Sequence, residues 1–348
     1  MKKSITFITL TLLILTLVVT MVACDEKPEE SETPVCNHQL VIDEAVAPTC
    51  TETGLTEGKH CSICDEILVA QETVEALGHK YDSDSDTNNV ICYVCNEFAS
   101  TYLSNFTFIL NEDGESYTIS ETNEDLGGNI IIPNIYLGKL VTIIGGGAFY
   151  SNDNLTGVTI GEGVTTIGSS AFAYCSSLTS VTIPASVTTI GMEAFKGCNR
   201  MASIFIPCGV STIGEGAFAL CDKLSNIEVD DNNTSYKSID GNLYSKTGEI
   251  LIQYAIGKTD ASFIIPDGVT TIGGFSFMTC RSLTSIVIPD SVITIGTNAC
   301  NTCINIKDIY YTGTLEQWMK IDQGGYWAHN MGDREGFTIH FDYVPDVD

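Results

Sequence analysis

A single line of sequence that recurs every 23 residues constrains this chain more than any other feature. Two neighbouring copies read VTTIGSSAFAYCSSLTSVTIPAS from Val164 and VTTIGMEAFKGCNRMASIFIPCG from Val187. The line opens at Val141, Val164, Val187, Val210, Val269 and Val292, and only the 59 residues from Val210 to Val269 break the step. Units this short cannot bury a core alone and stack on their neighbours. The sequence therefore predicts a repeat solenoid.

Each coil of the predicted solenoid combines strands with a short turn segment. The apolar spacing from Ala171 to Leu178 is typical of about one helical or 3-10 turn with one face inward. From Leu178 to Ile183 the pattern indicates a short strand, which Pro184 ends because proline has no N–H to donate. A glycine such as Gly191 follows the isoleucine of each line, where we expect a sharp turn or a close approach between coils. Strands stacked from coil to coil would form a parallel sheet.

One cysteine occupies the same position in five of the coils: Cys175, Cys198, Cys221, Cys280 and Cys303. Free cysteine is among the most buried residue types, so a buried ladder of thiols is one interpretation. Disulfides between coils are the other. Equivalent positions in stacked strands lie roughly 5 Å apart. Their Cβ vectors run parallel instead of converging, which favours the thiol ladder.

The repeated line, written V(T/S)TIGxxAFxxCxxLxSVxIP, resembles the BspA-like leucine-rich repeat of bacterial surface proteins. The resemblance covers residues 141–311. It implies a leucine-rich-repeat solenoid at a cell surface, with a role in adhesion to proteins of a host or of neighbouring cells.

The long step in the array is interpreted as one enlarged coil, residues 230–265. It contains Asp240-Gly241 and Thr247-Gly248 as turn signals between apolar runs, and it resembles a hairpin common in the same family. Residues 99–140 are predicted to form an N-terminal β cap that begins with a hairpin about Asp113-Gly114. Residues 312–348 resemble the family's closing element, in which Trp318 and Trp327 would cover the last coil.

The chain begins with an export signal, residues 1–23, in which two lysines precede a long apolar run. Cys24, directly after a small residue, resembles the lipidated cysteine of the bacterial lipoprotein lipobox. Residues 24–35 form an acidic tether. The sequence thus predicts an exported, lipid-anchored cell-surface protein; the alternative is an uncleaved membrane anchor.

Residues 36–98 form a predicted Cys/His-rich, zinc-ribbon-like module. His38, Cys50, Cys61 and Cys64 supply one imidazole and three thiolates, which suits tetrahedral structural zinc. His79, Cys92 and Cys95 form a second, incomplete set. The segments PTCTETGLTEGKHCSICDE and ALGHKY resemble a small module of exported Gram-positive proteins. Disulfides, which the exported location favours, and a redox-active CxxC are the alternatives.

Negative charge is concentrated near the start of the chain. Residues 25–125 carry 23 acidic residues and three lysines, a balance of −20 within a total of −28. This charge argues against a nucleic-acid partner and against docking on anionic lipid through basic patches. We therefore expect membrane contact through the lipid anchor only.

Catalytic chemistry is not indicated. No histidine occurs in residues 141–311, so the array lacks the usual general base. Its serines and threonines recur at equivalent positions without a partner, and no glycine-rich phosphate loop follows a strand. The sequence predicts a non-catalytic protein.

The predicted binding surface is the outward face of the strands between the inward residues of each coil. It contains Ser180 and Thr182, together with Phe205, Glu228, Val287 and Tyr310 at positions equivalent to Thr182. Large apolar groups at such positions are candidate anchors for an extracellular protein ligand. Two alternatives remain: Phe205 and Tyr310 pack under loops or the cap, or the surface binds glycans or the cell wall.

Overall fold

The computed structural model describes residues 37–78, 98–332 and 336–345. Two compact units divide the chain, Met1–Leu77 and Gly78–Asp348. The predicted signal segment, Cys24, and the second set of ligands (His79, Cys92 and Cys95) lie outside the described residues. Among the residues that are described, no helix has the length and apolar character needed to cross a membrane.

The described part of the first unit, residues 37–77, contains short antiparallel strands. Its strands are β1 (Leu40–Asp43), β2 (Gly54–Leu55), β3 (Gly58–Cys61), β4 (Ile67–Val69) and β5 (Thr73–Val74). Strand β3 lies between β1 and β4, and β2 pairs with β5. Its aliphatic side chains are exposed, for example Leu40 at 57% and Ile67 at 69%, whereas Cys50 and Cys61 are buried. Residues 37–77 thus bury little apolar surface, and small units of this kind are commonly stabilised by a cross-link or a metal.

The second unit is a β-solenoid of about nine turns with little helix. Its elements, in chain order, are α1 (Ser100–Leu103), β6 (Phe106–Leu110), β7 (Ser116–Thr122), β8 (Gly128–Ile132), β9 (Ile135–Tyr136), β10 (Lys139–Ile144), β11 (Leu155–Ile160), β12 (Thr166–Ile167), β13 (Ser180–Thr182), β14 (Thr189–Ile190), β15 (Ser203–Ile206), β16 (Thr212–Ile213), β17 (Asn226–Val229), β18 (Tyr236–Ile239), β19 (Asn242–Ser245), β20 (Ile250–Gln253), β21 (Ser262–Ile264), β22 (Thr271–Ile272), β23 (Ser285–Ile288), β24 (Thr294–Ile295), β25 (Asp308–Tyr311), α2 (Leu315–Trp318), β26 (Asp322–Gln323) and β27 (Thr338–His340).

Two sets of parallel strands run along the solenoid, as the repeat predicts. The first set pairs β10, β12, β14 and β16 in order, and resumes as β20, β22, β24 and β26. The second set forms three sheets: β8, β11 and β13; β15 and β17; and β21, β23, β25 and β27. The second set carries the predicted binding surface.

The segment between the two strands of a coil is made of tight turns and not of helix. Cys175 N–H donates to Phe172 O at 3.3 Å, a contact of the i to i+3 type. Phe172 N–H instead donates to Ala194 O of the next coil at 2.8 Å. Because such N–H groups bond across coils, they are not available for the i to i−4 bonds of a helix.

The solenoid core is organised in ladders of equivalent residues. Phe149, Phe172, Phe195 and Phe218 stack with successive ring-centroid distances of 4.7, 5.3 and 5.9 Å. The neighbouring cysteines confirm the thiol ladder, because Cys175, Cys198, Cys221, Cys280 and Cys303 are all buried free thiols.

Burial keeps the ladder thiols in their protonated form, in which each can donate a hydrogen bond. Cys198 Sγ donates to Phe172 O at 3.2 Å, and Cys175 Sγ donates to Phe149 O at 3.0 Å. Burial raises the pKa of the Cys175 thiol to about 12, with Asp153 nearby adding to the effect of burial and a backbone hydrogen bond from Asn152 opposing it. The ladder is therefore a packing feature, without thiolate character at neutral pH.

The two ends of the array and the enlarged coil contain antiparallel strands and aromatic packing. Strands β6 and β7 form the expected antiparallel hairpin, with Gly114 at φ 69° in its turn. In the enlarged coil β18, β19 and β20 form an antiparallel meander, and its first turn has Asp240 and Gly241 at positive φ. Trp318 is buried against Tyr311 at the C-terminal end, with 5.1 Å between the ring centroids.

Replacement of Phe195 by alanine tests the aromatic ladder. Phe195 is fully buried between two stacked rings. The cavity left by its ring is expected to lower the free energy of unfolding by about 3–5 kcal/mol. Urea unfolding followed by circular dichroism measures the loss, and Thr182→Ala on the exposed face is the matched control. A loss below about 1 kcal/mol would contradict the packing described above.

Gly191→Ala tests the close approach of consecutive coils. A Cβ at Gly191 would lie 2.5 Å from Ser169 N and 2.6 Å from Gly168 C, both backbone atoms. We expect a destabilisation of roughly 1–3 kcal/mol in the same unfolding assay, because backbone cannot move aside as a side chain does. Gly325→Ala, whose Cβ would meet nothing within 4 Å, is the control and should cause no loss.

Candidate binding surface and metal-ligand group

The predicted outward positions of the first coils lie on two neighbouring pairs of hydrogen-bonded strands, β11 with β13 and β15 with β17. Thr159 of β11 pairs in register with Thr182 of β13, and Phe205 of β15 pairs with Glu228 of β17. All four side chains are exposed, as is Ser180, and the Phe205 ring retains 46% of its accessible surface. We call Thr159, Ser180, Thr182, Phe205 and Glu228 the outward strip. The sequence left open whether Phe205 is exposed or packs under a loop or the cap, and in the structure its ring is exposed.

Two predicted surface residues have a different environment from the one expected. Val287 is only 6% exposed, because its partners in the register are the large side chains of Ile264 and Tyr310. Tyr310 is half-buried against the C-terminal cap, stacked on His340 at 4.7 Å and in contact with the tilted ring of Tyr343 at 4.6 Å between centroids. The structure therefore removes Val287 from the accessible surface and assigns Tyr310 to the packing of the cap.

One exposed outward residue was missed from the sequence. Ile264 is 54% exposed and pairs with Val287 on the same face. It comes one residue before Ile265, as Thr182 comes one residue before Ile183, so the repeat contained the signal. The enlarged coil obscured it, because the strand that contains Ile264 follows the irregular step.

A hollow of about 460 Å³ lies at one end of the outward strip, lined by Phe205, Glu228, Val229, Asp230, Asp231, Asn232 and Ser238. It occurs where β17 ends the two-stranded sheet and the meander of the enlarged coil begins. Ile227 N–H donates to Gly241 O of that meander at 2.9 Å, in place of a further parallel strand. The outward strip is therefore concave at this end, and the lining of the hollow includes three acidic residues.

In the first unit, the structure brings together three of the four predicted ligands of the first set. His38, Cys61 and Cys64 each offer a ligand atom, and these atoms all lie within 4.8 Å of one another. Cys64 Sγ and His38 Nδ1 are 3.6 Å apart. Strand β3 supplies Cys61 and the turn after it supplies Cys64, while His38 lies just before β1, the antiparallel neighbour of β3. Cys50 is buried in the same unit but lies outside this group.

The electrostatics of the group favour a thiolate. Burial acts to raise the pKa of Cys61, but hydrogen bonds from the backbone of Ile63 and Cys64 and from the side chains of His38 and Cys64 lower it to about 6. On its other side His38 Nε2 lies 3.6 Å from Glu66 Oε2. A ligating histidine is commonly oriented by a carboxylate on its second nitrogen. A thiolate beside an oriented imidazole is a donor set that a metal ion can use.

Comparison with known proteins identifies the class of this chain. The profile of the BspA type leucine rich repeat region matches residues 128–250 and 257–321 in six copies, which is more than half of the chain. The chain therefore belongs to the BspA type leucine-rich repeat family. No curated protein matches it.

Several solved structures are similar in fold. A leucine-rich repeat protein from Eubacterium ventriosum is 24% identical, covers 68% of this chain and 70% of its own, and has a TM-score of 0.46. A leucine rich cell surface protein from Faecalibacterium prausnitzii is 24% identical over 63% of this chain and 96% of its own, with a TM-score of 0.39. The pneumococcal vaccine antigen PcpA is 18% identical over 70% of this chain and 87% of its own, with a TM-score of 0.43. At these identities the likeness concerns the fold alone.

Proposed function

We propose that this protein is a non-catalytic, adhesion-type binding protein that engages an extracellular protein through the outward strip. The observation that carries the proposal is the exposure of Phe205 at 46% on a strand face whose neighbours are small polar residues and one acid. An exposed aromatic among small residues is the usual form of an interface anchor. The aligned strands of a solenoid also present a flat surface of fixed geometry, which binds with little loss of conformational freedom.

The proposed location is the cell surface, with Cys24 as the lipid-modified residue. Support comes from the basic and apolar segment 1–23 and the acidic tether 24–35. A protein of net charge −28 is repelled by anionic membranes, so a covalent lipid is the means by which it would stay attached. The ligand would be a protein of a host or of a neighbouring cell.

A double substitution on the strip tests the proposed surface. Thr159→Lys with Thr182→Lys places two long charged side chains on the exposed strands, and is expected to reduce capture of the protein ligand at least about tenfold. The measurement is a pull-down by the mature protein from surface proteins of host and neighbouring cells, with quantitative mass spectrometry. Ser169→Lys with Thr297→Lys, two exposed positions outside the strip, carries the same added charge. Equal loss, or no loss, in the two double variants would refute the strip as the binding surface.

A glycan or cell-wall ligand is the alternative. The feature that favours it is the group of Tyr310, His340 and Tyr343, in which His340 Nε2 also lies 2.7 Å from Asp308 Oδ1. His340 stacks on Tyr310 and the tilted ring of Tyr343 also contacts Tyr310, so less of the Tyr310 ring face is left for a sugar. Capture of wall polysaccharide in a parallel arm of the same pull-down would favour this alternative over a protein ligand.

We further propose that His38, Cys61 and Cys64 supply three of the four ligands of a structural zinc ion in the first unit. In a tetrahedral site a sulfur and a nitrogen ligand lie roughly 3.5 Å apart, and Cys64 Sγ and His38 Nδ1 are 3.6 Å apart. Zinc would supply the stabilisation that the sparse apolar core of this unit does not. Its role there would be structural, independent of the outward strip.

Cys64→Ser tests the zinc site in the intact mature protein. The variant is expected to lose about one zinc ion per chain relative to the wild type, because one of the ligands is removed. Zinc content is measured by inductively coupled plasma mass spectrometry after dialysis. Cys208→Ser, an exposed cysteine of the solenoid, is the matched control and should retain the wild-type content. Equal zinc in both variants, or a disulfide at Cys61 or Cys64 in the non-reduced protein, would contradict the assignment.

A further inference from the structure

The hollow at the end of the outward strip has two chemically different sides. One side is the exposed ring of Phe205, which belongs to β15. The other is acidic, with Glu228 at the facing position of β17 and Asp230 and Asp231 directly after that strand. Three carboxylates beside an exposed aromatic ring create a place where an apolar stem and a positive charge are both favoured.

The acidic loop has a defined conformation. Asp230 Oδ1 accepts a hydrogen bond from Asn232 N–H at 2.8 Å. Asn233 is fully buried, and its Nδ2 donates to Pro207 O at 2.8 Å and to Val210 O at 2.9 Å. Its Oδ1 accepts from Ser235 N–H and Tyr236 N–H at 2.9 and 2.8 Å. The backbone of the loop is thus tied to the preceding coil, which fixes the positions from which its acidic side chains extend.

The carboxylates of this loop are not neutralised by the cations nearest to them in the chain. Within residues 98–332, no ion pair joins a lysine or arginine to Glu228, Asp230 or Asp231. Lys246 Nζ donates to the carbonyl of Asp231 at 3.3 Å, and Lys237 Nζ donates to Thr247 O at 3.3 Å. Glu228 Oε1 accepts only the neutral amide of Asn226 at 2.8 Å. The hollow therefore retains negative charge that a partner can complement.

We propose that this hollow receives an arginine side chain from a basic segment of the protein partner; this rests on the proposed function of the outward strip. The guanidinium plane stacks on the Phe205 ring and its N–H groups donate to Glu228 and Asp231. Arginine fits better than lysine, because a planar fork can contact an aromatic face and a carboxylate together. The partner class is a basic, arginine-bearing protein segment, whose charge is opposite to that of the three carboxylates that line the hollow.

The test uses a fluorescent peptide of five Gly-Arg repeats as the probe, with binding to the mature protein followed by fluorescence polarisation at physiological salt. Two variants remove the site: Phe205→Ser, and Glu228→Gln with Asp231→Asn. Each is expected to raise the dissociation constant about fivefold or more. The matched control is Glu162→Gln with Asp267→Asn, which removes the same charge at two exposed positions away from the hollow. It is expected to change the constant less than about twofold.

Two further peptides test whether binding requires the positive charge and the guanidinium group. The same repeat with citrulline, which is neutral and nearly isosteric, is expected not to bind, and the repeat with lysine is expected to bind at least about threefold more weakly. Equal loss in the site and control double variants would mean that only the overall charge attracts the peptide, and would overturn the proposal. Equal binding of the citrulline or the lysine peptide would also overturn it, as would a wild-type dimer that Phe205→Ser converts to a monomer.

The peptide test and the pull-down test of the strip can fail separately, and each failure has its own meaning. If Thr159→Lys with Thr182→Lys abolishes partner capture while the arginine peptide fails to bind, the strip is the interface and the arginine assignment is wrong. If the arginine peptide binds at the hollow and no protein is captured through the strip, the proposed function fails and the site remains. Urea unfolding of each variant confirms that exposed substitutions have left the fold intact.

Discussion

Backbone hydrogen bonds between consecutive coils are the interaction on which the rest of this structure depends. In the first set of strands, Thr165 N–H donates to Thr142 O of the preceding coil at 2.8 Å. In the turn segment, Phe172 N–H donates to Ala194 O of the following coil at 2.8 Å. Each coil therefore uses the coils on both sides of it to satisfy its buried polar groups. A coil without a neighbour would leave these groups unpaired, at a cost of about 1–3 kcal/mol each. The array requires caps for this reason, and Thr122 Oγ1 supplies one such bond at the N-terminal end, to Ala148 O at 3.1 Å.

The same constraint determines where function can be located. The inward positions are occupied by ladders such as Phe172 and Cys198, whose side chains pack on equivalents in the next coil. Ligand contacts can therefore be made by outward side chains and by irregular coils, which are not part of these ladders. The enlarged coil and the coil after it illustrate the cost of irregularity, because the described residues provide no hydrogen-bond partner for the buried Tyr254 OH in the first or for Ser276 Oγ and Thr279 Oγ1 in the second. At the start of the enlarged coil the outward strands are interrupted after β17, and the acidic hollow lies there beside Phe205.

Features that depend on one coil, or on identical contacts in every coil, could be predicted from the sequence. The alignment of Thr159 with Thr182 follows from the 23-residue period, and the turn at Asp240-Gly241 follows from local backbone preferences. Predictions failed where the outcome depends on a neighbour that breaks the repeat. Val287 is outward by position, yet Ile264 and Tyr310 on adjacent strands cover it. In the regular coils, the single helical or 3-10 turn expected from Ala171 to Leu178 is realised as tight turns with i to i+3 bonds, because other N–H groups of this segment bond to the next coil.

The sequence by itself determined the solenoid, its inward residues and the kinds of ligand atom in the first unit, since each of these follows from local periodicity or residue type. Only the tertiary structure decided which outward side chains stay accessible, that the acidic loop after β17 faces Phe205, and that His38 meets Cys64 at 3.6 Å across 26 positions of the chain. The physical reason is that the accessibility of a side chain and the geometry of a ligand group depend on neighbouring residues that are distant in sequence. Periodicity specifies such neighbours only where the repeat is unbroken.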